Sequence, residues 1–268
     1  MLSEAKPALR RTSGIRRAIP TATYVAYFLY LEYNHNVVGI DYKAVIDKIQ
    51  RTLGSARLMA VSKTRTVEEI MAVYDAGVRL FGENHVQEIV AKFQTRPADM
   101  ELHMIGHLQS NKVGKVVPLV DMIESVDSLH LLEKIDRAAA SCGKVMDVLL
   151  EYNTSSEEAK SGFLTKEELF SCIEASVLME HVRIRGLMTV GPVDCDPALK
   201  DALTERAFGE LRDLRDECAG RFPGVDFGIL SMGMSGDYMI GVRNGSTEVR
   251  IGTALFGPRD YGRQGLDK

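Results

Sequence analysis

The chain carries no Cys-x-x-Cys pair and no histidine at zinc-ligand spacing; its four cysteines (Cys142, Cys172, Cys195, Cys218) are dispersed. That pattern excludes a disulfide framework and a zinc module, and reads as reduced thiols in an intracellular protein. There is no excess of positive charge. A net charge of −4 gives no electrostatic argument for nucleic acid or an anionic membrane as partner. Long apolar runs are missing too: the longest early one, Thr21 to Leu31, has eleven residues, where a membrane span takes about 20. No linker or low-complexity stretch divides residues 40–262. What remains is an ordinary globular composition, 45% hydrophobic and 26% charged over 268 residues, a length that suits one large α/β domain.

The first forty residues stand apart. Residues 1–20 hold Lys6, Arg10, Arg11, Arg16 and Arg17 against one acid, Glu4. Such a leader fits an organelle transit peptide, a disordered tail or an extra surface helix. The expected division is an N-terminal extension over 1–40 and one domain over 41–268. The expected compartment is the cytoplasm, with a mitochondrion or other organelle as the alternative if the leader targets.

Beyond the leader, β-rich runs alternate with segments of helical period. Val45, Ile46, Ile49 and Leu53 fall on one helical face, which predicts a helix before the first strand. Strand candidates are 57–62, 78–82, 101–106, 121–125, 146–152, 183–190, 227–232 and 248–252. Helices are expected near 66–76, 84–94, 110–117, 128–141, 165–178, 198–218 and 235–243. Thr66 ahead of Glu68 and Glu69, and Thr165 ahead of Glu167 and Glu168, are N-cap signals; Ala76-Gly77 and Ala219-Gly220 are stop signals. Nearly continuous apolar strands such as Met146-Asp147-Val148-Leu149-Leu150 suit a parallel sheet covered by helices. Eight units predict a single (β/α)8 TIM barrel. An open doubly wound sheet predicts a glycine-rich turn after its first strand, and Ser62-Lys63-Thr64-Arg65 has none.

In such a barrel, chemistry collects at the C-terminal ends of the strands. Lys63 ends the first apolar run, where burial can lower an ammonium pKa and free an amine for Schiff-base chemistry. The seventh strand leads into Ser231-Met232-Gly233-Met234-Ser235-Gly236-Asp237 and the eighth into Arg250-Ile251-Gly252-Thr253. Loops after these strands are the usual phosphate cradle of the fold, with small residues exposing backbone N–H groups. The expectation is a phosphate there and Lys63 across the barrel mouth carrying an aldehyde. Pyridoxal 5′-phosphate satisfies both ends, with Arg250 meeting its pyridine nitrogen. Each element also has a plain reading. Lys63 alone is more often a surface cation, His107 a loop hydrogen-bonder, and Met188, Met232 and Met234 core fillers. Asp237 reads as a cap and Glu248 as a solvated or paired surface charge.

Taken in order, the motifs Ala60-Val61-Ser62-Lys63-Thr64, Phe81-Gly82-Glu83-Asn84, Ile105-Gly106-His107-Leu108-Gln109 and Asn153-Thr154-Ser155 with Glu158-Ala159-Lys160-Ser161-Gly162 carry a resemblance. It continues through Gly186-Leu187-Met188-Thr189, Leu230 to Asp237, Gly245-Ser246-Thr247, Arg250 to Thr253, and Phe256-Gly257. Over residues 42 to 262 the chain resembles the pyridoxal phosphate homeostasis proteins, single-domain relatives of the alanine racemase barrel once labelled proline synthetase co-transcribed proteins. The resemblance implies an alanine racemase N-terminal-domain-like barrel with pyridoxal 5′-phosphate on Lys63. It implies a cofactor-binding set of Lys63, Asn84, Met188, Ser231, Gly233, Met234, Ser235, Arg250, Gly252 and Thr253, with no catalytic residue and no metal ligand assigned.

An arginine at the pyridine nitrogen disfavours ring protonation and weakens the electron sink. The implied role is therefore a carrier or buffer in cofactor homeostasis, with pyridoxal-dependent apo-enzymes as candidate recipients. An amino-acid racemase-like enzyme is the alternative, and a third is a phosphate-binding barrel enzyme that uses Lys63 as a Schiff base on a sugar aldehyde without cofactor. Racemases of this barrel carry a C-terminal β-domain that helps close a dimeric site. The chain ends sixteen residues past the eighth strand candidate, too few for that domain, so a monomer is expected. Three departures stand out: His85 replaces the family's usual tyrosine, Val242-Arg243-Asn244 replaces an Ala- or Glu-containing stretch, and the leader has no counterpart.

Overall fold

The computed structural model describes residues 40–258 except 156–160 and 194. The leader up to residue 39, and Glu158-Ala159-Lys160 of the quoted motif, lie outside the described residues.

The first described helix, α1 (Tyr42–Gln50), lies where the apolar spacing predicts it. Asp41 closes its N-terminus by accepting a hydrogen bond from the Ala44 N–H at 2.9 Å, while Tyr42, Ile46 and Ile49 are buried. The strands follow as β1 (Arg57–Val61), β2 (Leu80–Glu83), β3 (Glu101–Met104), β4 (Met122–Val126), β5 (Met146–Glu151), β6 (Val182–Met188), β7 (Ile229–Met234) and β8 (Glu248–Ile251). All neighbours pair in parallel and in chain order, and β8 returns to β1 with Met59 opposite Arg250, so the sheet closes into a barrel.

Around it run α2 (Val67–Asp75), α3 (Val86–Lys92), α4 (Val113–Val116), α5 (Leu129–Ser141), α6 (Lys166–Ser176), α7 (Lys200–Arg221) and α8 (Tyr238–Arg243), with α9 (Thr253–Phe256) after β8. Thr66 and Glu69 form a reciprocal capping box at the start of α2, and Thr165 caps α6; each such cap is worth about 1 kcal/mol. Two expectations shift. The segment read as one helix over 110–117 begins as a 3-10 turn (Ser110–Lys112) before α4. Helix α7 runs through the Ala219-Gly220 stop signal to Arg221, because Cys218 is still buried beneath it.

Burial explains the composition of the strands. Phe81, Leu102, Ile123, Val148, Leu187 and Val249 face outward into one apolar layer shared with the helices. Inside the barrel, Met59, Val61, Leu80 and Ile105 form one apolar cluster, and Met122, Leu149 and Met188 with Ile229 a second. Between the two runs a polar seam, whose members His103, Glu124, Ser231, Glu248 and Arg250 are all buried. Gly186 marks the tightest backbone approach: its φ is +152°, and a Cβ there would lie 1.8 Å from the Ile229 carbonyl oxygen. Only glycine lets β6 and β7 pair at that point.

Candidate functional site

Lys63 sits in the turn between β1 and α2, half-buried at the C-terminal rim. The turn is held from several sides. The Ser62 N–H donates to the Gly82 carbonyl at 3.0 Å, and the Arg65 N–H to the Ser62 carbonyl at 3.0 Å. Thr64 has a φ of +66°, a conformation unfavourable for a β-branched residue, and its N–H donates to Glu88 Oε2 at 2.7 Å. Lys92 Nζ donates to the Ser62 carbonyl at 3.1 Å and pairs with Glu83 at 2.9 Å and with Glu88. Arg65 is buried; it donates to the carbonyls of Gly257 and Pro258 and stacks over Phe256, tying this turn to the segment after β8. A backbone held in a costly conformation by a surrounding network is typical of sites where a side chain must be aimed.

Barrel closure corrects the expected placement of Lys63. Because β1 pairs with β8, Lys63 is a neighbour of the β7–β8 cradle and does not face it across the mouth; an added Cβ on Gly252 would lie 3.7 Å from Val61. In the cradle, the N–H groups of Gly252 and Ala254 both donate to Ser235 Oγ, at 3.1 and 3.2 Å. The Ser235 hydroxyl proton and the exposed Thr253 side chain lie at the same rim. Gly233, at φ +97°, makes the turn out of β7: its Cβ would meet the Tyr238 Cα at 2.9 Å. Asp237 caps α8 as expected by position, but its carboxylate accepts from the Met234 N–H, at 2.5 Å.

The other candidate residues divide by depth. Asn84, just past β2, has its Oδ1 buried without a hydrogen-bond partner. Met234 is half-buried at the end of β7, whereas Met188 lies inside the barrel beside Met122 and Leu149. Met232 packs into the outer core. Ser231 is fully buried: it donates to Glu124 Oε2 and accepts from Arg250 Nη1 at 2.7 Å. Arg250 Nη2 donates to the Thr189 carbonyl at 2.7 Å. His85 is exposed at the start of α3 and makes no capping bond. His107 is an exposed loop hydrogen-bonder, 3.1 Å from Ser161 Oγ and 3.2 Å from Asp127. It borders a cavity of about 280 Å³ that also touches Asn84, Gly106, Asn153 and Thr189.

Glu248 overturns its reading as a surface charge: it is 1% exposed and faces the barrel axis. There it accepts from Arg57 Nη1 at 3.0 Å, while its Oε2 has no hydrogen-bond partner and lies 4.0 Å from His103 Nδ1. Burial, then the nearby Glu124 carboxylate, push the Glu248 pKa up to about 7. His103 lies between two carboxylates, Nδ1 2.6 Å from Glu124 and Nε2 2.8 Å from Glu101. Burial alone would lower its pKa, but those two hydrogen bonds carry it up to about 9. The same contact with His103, against the cost of burial, holds Glu101 down at about 2. Burial also opposes ionisation of Glu124, and the hydrogen bond and charge of His103 with the charge of Arg250 outweigh it, leaving its pKa lowered. His103, Glu124 and Glu248 bring one ligand atom each within 4.8 Å, a spacing a metal ion could use. Arg57 and Arg250 flank these carboxylates, so the chain's own cations already balance them.

Sequence reasoning missed Glu83, Glu88, Lys92, Arg65, His103 and Glu124. The signal for the first three was in plain view: acids and a lysine at i, i+5 and i+9 beside a strand end. His103 carried none, since a single polar residue inside a strand reads as its wet face, and Glu124 showed only as a polar residue at the end of the fourth strand.

Comparison with known proteins follows the geometry. Residues 41–260 match the alanine racemase N-terminal domain. The pyridoxal phosphate homeostasis protein of Vibrio alginolyticus is 40% identical over 219 residues, 80% of this chain and 91% of that protein. The mouse protein of the same name is 34% identical over 251 residues, 86% of this chain and 90% of the mouse protein. The solved structure of PipY from Synechococcus elongatus with PLP bound superposes with a TM-score of 0.73 at 34% identity, covering 81% of this chain and 100% of PipY. Alanine racemase from Clostridium difficile, at 17% identity and a TM-score of 0.67, covers 80% of this chain and 55% of its own and shares the fold. The chain belongs to the pyridoxal phosphate homeostasis protein family, built on the alanine racemase N-terminal-domain barrel.

Proposed function

We propose that this protein binds pyridoxal 5′-phosphate and serves its intracellular homeostasis as a carrier or buffer, with the cofactor held as a Schiff base on Lys63. The observation that carries the reading is the adjacency of two built features on one rim: the pinned Lys63 turn, and the Gly252 and Ala254 N–H groups converging on Ser235 Oγ one strand away. The buried, unpartnered Asn84 Oδ1 at the same rim offers an acceptor to a polar ligand. Backbone donors with a serine hydroxyl and Thr253 suit a phosphate. The Lys63 amine condenses with an aldehyde by expelling water, and when bound the cofactor supplies that aldehyde and an electron-accepting ring. Arg250, held by Ser231 and the Thr189 carbonyl and set by the family resemblance at the pyridine nitrogen, would withhold the ring proton that strong electron-sink chemistry needs, which favours carriage over turnover. Cytoplasmic placement and transfer to pyridoxal-dependent apo-enzymes belong to this proposal. Among the described residues no helix is long and apolar enough to cross a membrane.

Purified protein mixed with the cofactor should develop a visible absorbance band. Borohydride should then fix the label on the peptide containing Lys63, and Lys63→Ala should abolish both. A full band surviving in that variant, or a label mapping elsewhere, sinks the lysine assignment. Substantial Lys63-dependent racemisation of alanine or serine would instead make the protein an enzyme.

A further inference from the structure

The barrel axis contains more charge than a packed interior needs. TIM-barrel interiors are normally filled by layers of branched apolar side chains, and a buried ion pair is on balance a weak source of stability. Here a continuous chain of hydrogen bonds climbs the seam. Glu101 contacts His103 Nε2 at 2.8 Å, His103 Nδ1 lies 2.6 Å from Glu124, Ser231 donates to Glu124, and Arg250 donates to Ser231 at 2.7 Å. At the upper end the second Nη of Arg250 reaches the Thr189 carbonyl, at the rim, at 2.7 Å.

Two different η nitrogens are thus tied to Ser231 within β7 and to Thr189 just past β6, and two fixed points set the plane of a rigid guanidinium fork. The Ser231 hydroxyl has one proton. Arg250 can only donate, so the Ser231 oxygen accepts from it and the proton is left for Glu124; the carboxylate in turn holds the hydroxyl in the orientation that receives Arg250. Glu124 in turn is aimed by His103. Apolar clusters on either side, Met59, Val61, Leu80 and Ile105 on one and Met122, Leu149 and Met188 on the other, leave the chain no competing polar partner at those walls.

We propose that Glu124 and His103 are positioning residues for Arg250, acting through the Ser231 hydroxyl to fix the guanidinium at the rim where the pyridine ring of the cofactor binds. The inference rests on the assignment of Arg250 to the pyridine nitrogen. It assigns the buried seam to setting the electronic state of the bound cofactor through Arg250; Ser231, which the resemblance counts among the cofactor-binding residues, is fully buried between Glu124 and Arg250 and acts here by holding the guanidinium. Removing any one link frees the guanidinium to rotate, which loosens the ring and changes the charge beside its nitrogen.

The test uses the full chain and pyridoxal 5′-phosphate. Ser231→Ala and Glu124→Gln, checked for unchanged circular dichroism, should each weaken cofactor binding roughly tenfold and shift the visible band of the bound cofactor, while borohydride still labels Lys63. Ser231→Thr, which restores the hydroxyl, should return the band toward its original position. Folded variants that keep the original band and affinity overturn the inference. Wild-type protein that never labels Lys63 overturns the underlying cofactor reading instead, so the two failures are separable. A second measurement needs no variant of the seam: 15N NMR of the unliganded wild type, with Arg250→Lys used for assignment. Separate, slowly exchanging η resonances for Arg250 are expected; averaged ones, reporting free rotation, overturn the proposal.

Discussion

His103 gives the fold a measurable pH signature. Both of its ring nitrogens face carboxylates, Glu124 at 2.6 Å and Glu101 at 2.8 Å, and only the imidazolium can donate to both. A neutral ring must turn one lone pair toward an ionised oxygen inside a dry barrel. The folded pKa of about 9 against an ordinary 6.5 corresponds to about 3 kcal/mol, or some two and a half decades in the folding constant. The sign follows from the raised value: the stabilisation is complete below pH 6.5 and is lost as pH rises through 9. Glu248, raised to about 7, retains its proton in the folded state where the unfolded chain has lost it, so stability also falls between its unfolded value near 4.5 and pH 7. Glu101, held down at about 2, works in the other direction; its contribution is present above pH 4.5 and is lost as pH falls through 2. These three groups together favour mildly acidic solution.

Urea denaturation of the wild type and of His103→Gln at pH steps from 6 to 9.5 isolates the effect. Glutamine can keep a donor and an acceptor in the seam but cannot titrate; groups titrating away from the seam cancel in the difference, and Glu248, 4.0 Å from His103, adds its own change at the low-pH end of the range. The wild-type curve should fall by about 3 kcal/mol more than the variant's across this range. Parallel curves, or a His103 imidazole seen by NMR to titrate near 6.5, would refute the buried-imidazolium argument.

Three further outcomes follow from local geometry. Gly186→Ala forces a Cβ against the Ile229 carbonyl oxygen and should cost more than about 4 kcal/mol, visible as insoluble protein or a collapsed Tm; a soluble variant with unchanged Tm would contradict the β6–β7 contact. Glu88→Ala removes the acceptor for the Thr64 N–H and a partner of Lys92, so it should cost about 1–3 kcal/mol in urea denaturation and weaken cofactor attachment roughly tenfold in spectral titration. Thiol alkylation of the native protein at pH 8 should mark exposed Cys142 and spare Cys172 and Cys218, which are buried and pushed up to about 12 by that burial; mass spectrometry showing prompt labelling of Cys172 would contradict the packing of α6.

The parts of this molecule that were legible in its sequence are those governed by one-dimensional rules. Nearly continuous apolar runs located the strands, and cap residues such as Thr66 and Thr165 located helix starts where the structure has them. Lys63 was legible because a cation ends an apolar run. Helix ends were less so: Gly220 looks like a terminator, yet α7 passes it because the burial of Leu214 and Cys218 outweighs a local glycine penalty of about 1 kcal/mol. The pairing of Lys63 with its cradle was misjudged as diametric because linear order hides closure; the first and last strands are the farthest apart in sequence and adjacent in space.

The barrel seam failed to show for a deeper reason. Glu101-Leu102-His103-Met104 and Glu248-Val249-Arg250-Ile251 alternate polar and apolar residues, the pattern of a strand with one wet face. In an open antiparallel sheet that inference holds. Once the sheet closes and helices cover its outside, the solvent face becomes the barrel axis, and the same alternation aims charge inward. Glu248, expected as a solvated or paired surface charge, lies 1% exposed. The alternation therefore carried the right information about which residues share a face and the wrong information about what that face meets. An inward face that pairs Arg57 with Glu248 and ties Arg250 to both Ser231 and the Thr189 carbonyl costs more to build than an apolar one. That excess is not explained by stability alone, and its upper end is Arg250, whose Nη2 reaches the Thr189 carbonyl just past β6.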